Sequence, residues 1–464
     1  MILNIVPGSV NGLTTEERNM LSDLLQIYNS HSLKNIEKDR YYEGKISLNS
    51  VNLGIALPDG LARLEIGCAW GSKCVDVLAA RSMFDGFVGE NGEDVEAIDK
   101  IVVDNRLIAE YMKACRDQLK YGCTFATLSY DPEIGCKIRF HSPMTAAARW
   151  DGDLGRIAYG FAIIDTAPDN SSDATWSPSV INLYTDYSVI VLKRNGSLWS
   201  AEHYEQSMGR PLMEALIWNA TSAKPFGRSR IKEPVRRLIQ GYVRTIANAT
   251  IGLEFATAPQ KYLLGVTDEQ YDALINQKFR QYVGSIIAST VNPETGEIPS
   301  FGQLTQGNIS PHVEMIRILA TQFSAATGLS VTDTGVVNDA NPTSSDAILA
   351  QSQTLVAMAE QLNTGNGDSL RMIAQMALAI SSGRKLDELD EDEKAIIAHF
   401  KNPAMPSVAV TADAAIKIAS SRPNFAQTDT FLEMIGFDQA DIRRVKAQES
   451  RARGIETLLE MGIE

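Results

Sequence analysis

Residues 225–264 read PFGRSRIKEP VRRLIQGYVR TIANATIGLE FATAPQKYLL, and this stretch decides the fold. It predicts a long helix over residues 229–252, entered through the turn-forming Pro225-Phe226-Gly227. Pro234 falls within the first turn or so, where a proline is tolerated because the N–H it lacks would have no intrahelical partner. Apolar side chains recur at helical spacing and predict one buried face, formed by Ile231, Val235, Leu238, Ile239, Tyr242, Val243 and Ile246.

The residues before this helix predict a sheet preceded by helices. Between about residues 121 and 205, short β-branched and aromatic runs alternate with turn pairs such as Asn195-Gly196, which is typical of an antiparallel meander. Residues 97–120 predict a helix. Nearer the N-terminus, residues 14–30 predict an amphipathic helix with a capping box closed by Glu17, and a separate short helix follows over residues 34–42.

The residues after the long helix are mainly helical. Ser310-Pro311 predicts a helix start, and residues 328–345 form a loop rich in glycine and asparagine. A further helix is predicted from Asp346 to about Ser382, interrupted at Gly365-Asn366-Gly367 because glycine is a poor helix former. Helices and a meander in separate parts of one chain indicate an α+β protein.

Composition restricts the class of protein. The chain has 464 residues, 44% of them hydrophobic and 22% charged, which excludes a disordered tail protein or a fibre. No apolar stretch approaches the roughly 18 residues that span a bilayer, so we expect no membrane span. The formal net charge of −14 argues against non-specific capture of nucleic acid by the whole surface, although a local basic site remains open.

The residues that carry common chemistry are scattered. The five cysteines form no C-x-x-C pair and are expected to be free, buried thiols; the five histidines are isolated. Residues 67–74 (GCAWGSKC) look superficially like a phosphate loop, but one residue is missing before the Gly-Lys-like pair and Cys74 replaces the Ser or Thr that binds magnesium. We therefore expect no metal, no cofactor and no enzymatic activity.

Several strings, taken in order along the chain, resemble the portal proteins of tailed double-stranded DNA bacteriophages. Each string is short, but the ordered series covers nearly the whole chain. The strings are YYEG at 41–44, LGIALP at 53–58, PFGRSRI at 225–231, FA at 255–256 with APQKYLLG at 258–265, TGL at 327–329 with NPTSSDAI at 341–348, and DAA at 413–415.

The resemblance implies an α+β, portal-like fold with a mixed wing domain, long stem helices, a small α/β clip and a helical crown. It divides the chain into a wing (1–225), a first stem helix (226–257), a clip (258–308), a second stem helix (309–328), a tunnel loop (329–345), the long wing helix (346–385), and the crown with the C-terminal helices (386–464).

The resemblance also implies a function and partners. Portal proteins form a homo-oligomeric ring, usually a dodecamer, at the unique capsid vertex, and genomic double-stranded DNA is packaged and ejected through its axial channel. The implied partners are the terminase, the major capsid protein and a head-completion or adaptor protein, with no membrane. The implied location is the virion, after assembly in the host cytoplasm.

The candidate site residues are basic side chains in and beside the first predicted stem helix. Residues 226–264 carry seven cations against two carboxylates. Six of these cations either face DNA phosphates in the channel or form ion pairs between subunits or a solvated outer face: Arg228, Arg230, Lys232, Arg236, Arg237 and Arg244. The second interpretation is favoured, since a channel through which DNA slides should not bind phosphates tightly. Arg228 and Arg230 lie beside the glycine that precedes the helix and are expected to be structural or intersubunit.

The predicted tunnel loop has no Lys or Arg between Gly328 and Asp346. Its candidate residues toward DNA are Asp333, Asn338, Asp339, Asn341 and Ser344. Such an acidic, polar wall would repel the DNA backbone and let it slide. The alternative, at even weight, is that these residues only form turns and cap helices. Two competing functions are another head–tail connector protein and a virion-associated DNA-processing enzyme.

Overall fold

The computed structural model describes residues 2–46, 66–89, 96–168, 176–196, 198–257, 261–264, 291, 296, 300–303, 308–336, 345–404, 408–437 and 439–460. The fold is mixed α+β. Its helices are α1 (Thr15–Tyr42), α2 (Trp70–Ala79), α3 (Glu96–Asp104), α4 (Leu107–Tyr121), α5 (Glu233–Thr257), α6 (Ser310–Thr327), α7 (Ser345–Ser382), α8 (Glu391–Lys394), α9 (Val408–Ser421), α10 (Asp429–Met434) and α11 (Gln439–Glu460).

Most strands belong to two sheets. The six-stranded sheet has the order β1-β11-β10-β9-β8-β7, and the three-stranded sheet has the order β12-β5-β6. The strands are β1 (Val10–Asn11), β2 (Lys45–Ile46), β3 (Ile66–Gly67), β4 (Phe84–Val88), β5 (Cys123–Asp131), β6 (Gly135–His141), β7 (Ala146–Asp151), β8 (Arg156–Pro168), β9 (Trp176–Tyr184), β10 (Ser188–Asn195), β11 (Leu198–Glu205), β12 (Met213–Ile217), β13 (Lys261–Leu264), β14 (Ser300–Gln303) and β15 (Ile397–Phe400).

The predicted antiparallel meander is confirmed for β7 to β11, where each strand pairs with the next. β5 and β6 lie outside the six-stranded sheet: β5 pairs with β6 on one side and on the other with β12, which follows the meander in the chain. Two cores result. A smaller one lies between α1 and the six-stranded sheet, and the larger one joins the three-stranded sheet to α2 through α7.

Helix α1 begins with the predicted capping box, in which Thr14 Oγ1 accepts from the Glu17 N–H at 3.3 Å and Glu17 accepts from the Thr14 N–H at 2.8 Å. The predicted break after residue 30 is wrong, because the helix continues to Tyr42. The apolar stripe is interrupted by polar residues, yet two of these, Ser32 and Asn35, stay on the buried face. The Asn35 amide donates to the Pro143 carbonyl at 3.5 Å.

The helix predicted over residues 97–120 is two helices, α3 and α4. The chain turns at Arg106, whose φ of 50° is left-handed. The preceding Asn105 uses its carboxamide on β6: its Oδ1 accepts from the Ile138 N–H at 2.8 Å and its Nδ2 donates to the Cys136 carbonyl at 2.9 Å. The side chain thus stands where a neighbouring strand would bond, and this contact fixes the turn.

Helix α7 runs without the predicted interruption at residues 365–367. Asn366 is fully buried, and its amide donates to the Tyr111 hydroxyl at 2.8 Å and to Gln118 Oε1 at 3.0 Å, while Asn366 Oδ1 accepts from Gln118 Nε2 at 2.6 Å. Tertiary packing against α4 therefore compensates for two weak helix formers, Gly365 and Gly367.

Three further predictions have a structural outcome. Helix α5 begins at Glu233, four residues after the predicted start. All five cysteines are free and buried, as predicted. The segment assigned to a helical crown contains an unpredicted strand, β15, which pairs antiparallel with β4.

No helix in the described part of the chain is long and apolar enough to cross a membrane. Most of the predicted clip lies outside the described residues, except that β13 pairs with β14.

Candidate functional site

The candidate site is the helix pair formed by α5 and α6, which lie side by side. Val235, Ile239 and Val243 of α5 and Phe323 of α6 are buried in the larger core. The helices approach closely at Gly241, where an added Cβ would lie 3.2 Å from Leu319 Cδ2. The sequence thus predicts correctly which face of α5 is buried, and the opposite face is exposed.

The exposed face of α5 is basic. Arg237 and Arg244 are seven residues apart and so lie on the same side of the helix. Both are exposed, and so are Arg228 and Lys232 in the segment that leads into α5. Within the described residues, Arg228, Lys232 and Arg244 form no ion pair. Three cations per subunit are therefore available to an external anion.

Two arginines at the start of α5 share one carboxylate. Glu233 Oε1 accepts from Arg237 Nε at 2.8 Å, and Glu233 Oε2 accepts from Arg236 Nη2 at 2.5 Å. The hydrogen bond from Arg237 and the charge of Arg236 lower the pKa of Glu233. Arg236 also pairs with Glu37 of α1, and its side chain is only 18% exposed. Its role in this structure is to join α5 to α1.

Arg230 has a structural role within the subunit, one of the two roles expected for it, because its side chain is buried and does not face a channel. Arg230 Nη2 donates to the Thr327 carbonyl at 2.7 Å, and Nε donates to the Cys74 carbonyl. Arg230 Nη1 lies 3.5 Å from the Met358 sulfur. Burial lowers the pKa of Arg230. The guanidinium therefore connects the start of α5 to the end of α6, to α2 and to α7.

Helix α6 exposes apolar side chains outside its buried side, and the sequence patterns did not predict this exposure. Its buried side includes Leu319, Ala320 and Phe323. Elsewhere around the helix, Val313, Met315 and Ile318 are 47%, 44% and 44% exposed. Met315 and Ile318, three residues apart, share one side of the helix, and Val313 lies away from them. The signal was present, since apolar residues surround much of this helix, and such a helix is normally covered on several sides.

The segment after α6 begins as a fixed turn. Gly328 has a left-handed φ of 72° and ends the helix. Asp333 Oδ2 accepts from the Ser330 N–H at 3.0 Å and from Ser330 Oγ at 2.8 Å. The Trp70 indole N–H donates to the Thr334 carbonyl at 3.1 Å. Asp333 therefore shapes this turn, as the alternative interpretation expects. Four other predicted tunnel-loop residues lie outside the described residues: Asn338, Asp339, Asn341 and Ser344.

Trp70 joins helices α5 and α6 to this turn. Its ring centroid lies 4.5 Å from that of Tyr242 in α5 and 4.8 Å from that of Phe323 in α6. Trp70 belongs to the segment that looks like a phosphate loop. A Cβ at Gly71 of that segment would meet the Tyr41 carbonyl oxygen, so protein atoms occupy the space beside the loop. In the described ranges, no three His, Cys, Asp or Glu side chains are arranged to hold a metal ion.

No family model matches the sequence, and neither does any curated protein. Among solved structures, the chain is similar to a chain in the neck of an empty GTA particle computed with C6 symmetry. The TM-score is 0.47 with 14% identity, over 82% of this chain and 95% of that chain. It is also similar to a chain in the neck of a native GTA particle computed with C12 symmetry, with a TM-score of 0.44 and 12% identity, over 79% of this chain and 89% of that one.

Proposed function

We propose that this chain is the subunit of a phage portal ring, through which double-stranded DNA enters and leaves the capsid. In this proposal the exposed basic face of α5 lines the channel, and the exposed apolar side of α6 packs against the next subunit. The proposed location is the portal vertex of the virion. The proposed partners are the terminase, the major capsid protein and a head-completion or adaptor protein.

The observation that carries the proposal is the difference between the two exposed faces of the helix pair. Met315 and Ile318, three residues apart on one side of α6, are both 44% exposed in one copy, and exposed apolar side chains that lie together are typical of a surface that a partner covers. The face with Arg237 and Arg244 is charged and suits water or a polyanion. Packing α6 against the neighbouring copy would cover the first face and leave the second open.

The charges of this face suit a sliding contact. Arg237 is already neutralised by Glu233, which leaves few cations free on each helix. Affinity for DNA rises with the number of phosphates neutralised, so few free cations favour weak, salt-sensitive contact. The ordered strings shared with portal proteins support the same proposal. An enzymatic role is the weaker alternative, since it would need a phosphate or metal site, and the segment most like a phosphate loop is filled by protein atoms.

The experiment is to measure the mass of the purified protein and then its DNA packaging with terminase and empty capsids. We expect a closed ring, and we expect Lys232→Gln/Arg244→Gln, which removes two cations that form no ion pair within the described residues, to assemble normally but to change the packaging rate most at low salt. Arg371→Gln, an exposed arginine of α7, is the matched control. A chain that stays monomeric at all concentrations and salts would overturn the ring. Hydrolysis of ATP by the purified chain, lost on mutation of one carboxylate, would favour the enzyme.

A further inference from the structure

A groove of about 500 Å³ lies beside the free edge of β6. Its lining includes the apolar side chains Phe140, Ile163 and Ile164. Cations surround it: Arg106, Lys137 and Arg139 line the groove and form no ion pair within the described residues, whereas Glu110 is paired with Lys113. Asp104 also lines the groove. The groove therefore combines a few apolar side chains with an excess of positive charge.

The backbone of β6 is open at this groove. Because Ile138 N–H and Cys136 C=O bond to Asn105, the even-numbered residues of β6 direct their backbone groups away from β5. Phe140 is the next even-numbered residue, and no described residue bonds to its N–H or C=O. The Asn105 carboxamide already bonds to this edge as a peptide group would. The Ser142 carbonyl beyond Phe140 already accepts from Thr145 N–H and Ala146 N–H, so Phe140 is the position at which an extended segment can bond to this edge.

A second open edge of opposite charge lies on β11. β1 pairs only with Trp199 and Ser200, so the edge is uncovered farther along the strand. The bond from Gln206 N–H to the Tyr187 carbonyl sets the register, and His203 and Glu205 direct their backbone groups away from β10. Tyr204 is 54% exposed, and Glu205 has no ion-pair partner in the described ranges.

We propose that the β11 edge of one copy docks into the β6 groove of a second copy. Glu205 then pairs with Arg139 and its neighbouring cations, the Tyr204 ring packs on the isoleucines, and the two open backbone edges bond. The inference rests on the proposed ring and names one contact that closes it. The occupant is a second copy because the chain supplies both complementary surfaces.

One copy cannot make this contact with itself. The groove includes β8, and β11 is separated from β8 by β9 and β10, at a spacing of about 4.8 Å per strand. The two surfaces differ, so the contact is heterologous. Such contacts propagate head to tail and close into a ring when the rotation allows. Aromatic anchors surrounded by ion pairs are typical of surfaces that contribute most to association.

The first experiment is a charge exchange. Arg139→Glu and Glu205→Arg are each expected to raise the concentration for half-maximal ring assembly by about tenfold or more, and the double variant should recover most of that loss. Lys34 is an exposed lysine on α1, and Lys34→Glu is the control that makes the same charge change as Arg139→Glu. Circular dichroism checks that each subunit folds. Normal assembly of both single variants, or no recovery in the double variant, would overturn this contact and leave the ring proposal standing.

The second experiment is a covalent trap. All native cysteines are buried, so an introduced surface pair can be oxidised selectively. The double variant Arg139→Cys/Glu205→Cys should give a ladder of disulfide-linked oligomers that ends at one closed size, while each single variant should give no ladder. Dimers from a single variant would indicate a symmetric contact, and no ladder from assembled double-variant rings would contradict the proposed docking. If the wild-type chain forms no ring, the proposed function itself fails.

Discussion

Arg230 shows how one side chain can connect several elements without a carboxylate. Its guanidinium is buried and bonds to the carbonyls of Cys74 and Thr327, which are main-chain acceptors. A buried charge is costly unless its hydrogen bonds are made, and here peptide dipoles supply them. Because Thr327 is the last residue of α6, the position of that helix end is tied to the start of α5.

Arg230→Ala should therefore destabilise the subunit. It removes a buried side chain and leaves two buried carbonyls without their donors, which should lower the free energy of unfolding by about 2–4 kcal/mol. The measurement is a urea titration followed by circular dichroism. Arg228→Ala, two residues away and exposed, is the control and should change stability by less than about 0.5 kcal/mol. Equal effects of the two substitutions would show that Arg230 is not buried as described.

The stability of the fold should depend on pH through two largely buried groups, His141 and Asp117, whose effects on stability oppose each other as the pH falls. Burial, with a smaller contribution from Arg139, lowers the pKa of His141 to about 4. The unfolded chain binds this proton near pH 6.5, so His141 makes the fold less stable as the pH falls from 6.5 to 4, by up to about 1.4 kcal/mol per pH unit. Burial raises the pKa of Asp117 to about 6, and this group opposes that trend.

Substituting His141 and Asp117 one at a time separates their contributions to the pH dependence of stability. Between about pH 7 and pH 4.5, His141→Gln should lose less stability than the wild type, and Asp117→Asn should lose more. Urea titrations at several pH values measure both slopes. If the two variants shift the slope in the same direction, the burial of one of these groups has been assigned incorrectly.

At the scale of elements, the sequence predicts well where periodicity and caps agree. The capping box at Thr14, the buried face of α5 and the paired strands of the meander follow from local rules. The points at which a helix ends or continues were harder to predict, because they depend on contacts with distant residues. Asn105 ends α3 by bonding to β6, and Asn366 holds α7 together by bonding to α4. No pattern within either segment contains that information.

Helix α7 offers a direct test of its continuity. Gly365 lies in the helix, is exposed, and has open space where an added Cβ would lie, so Gly365→Ala should stabilise the subunit by about 0.5–1 kcal/mol. Gly328→Ala is the contrasting variant. It should be destabilising, because Gly328 has a left-handed φ and its added Cβ would meet the Met358 methyl group. Thermal unfolding compares the two, and a destabilising Gly365→Ala would indicate that the helix breaks there.

At the scale of the whole molecule, the separation of charges would let an acidic chain surround DNA in the proposed ring. The net charge of −14 keeps most of the surface from binding phosphates. Two groups of cations that form no ion pair within the described residues lie on the leading segment and exposed face of α5 and around the β6 groove. We place the first group toward the DNA and the second toward the neighbouring subunit. Apolar residues of α6 would then be covered by assembly.

The most direct test of the proposed ring is a cryo-electron microscopy map of the assembled protein. We predict a closed ring in which Arg237 and Arg244 of α5 face the central axis, while Met315 and Ile318 of α6 are buried against the neighbouring copy. A map with α5 on the outer surface, or with the apolar side of α6 exposed to solvent, would contradict the proposal.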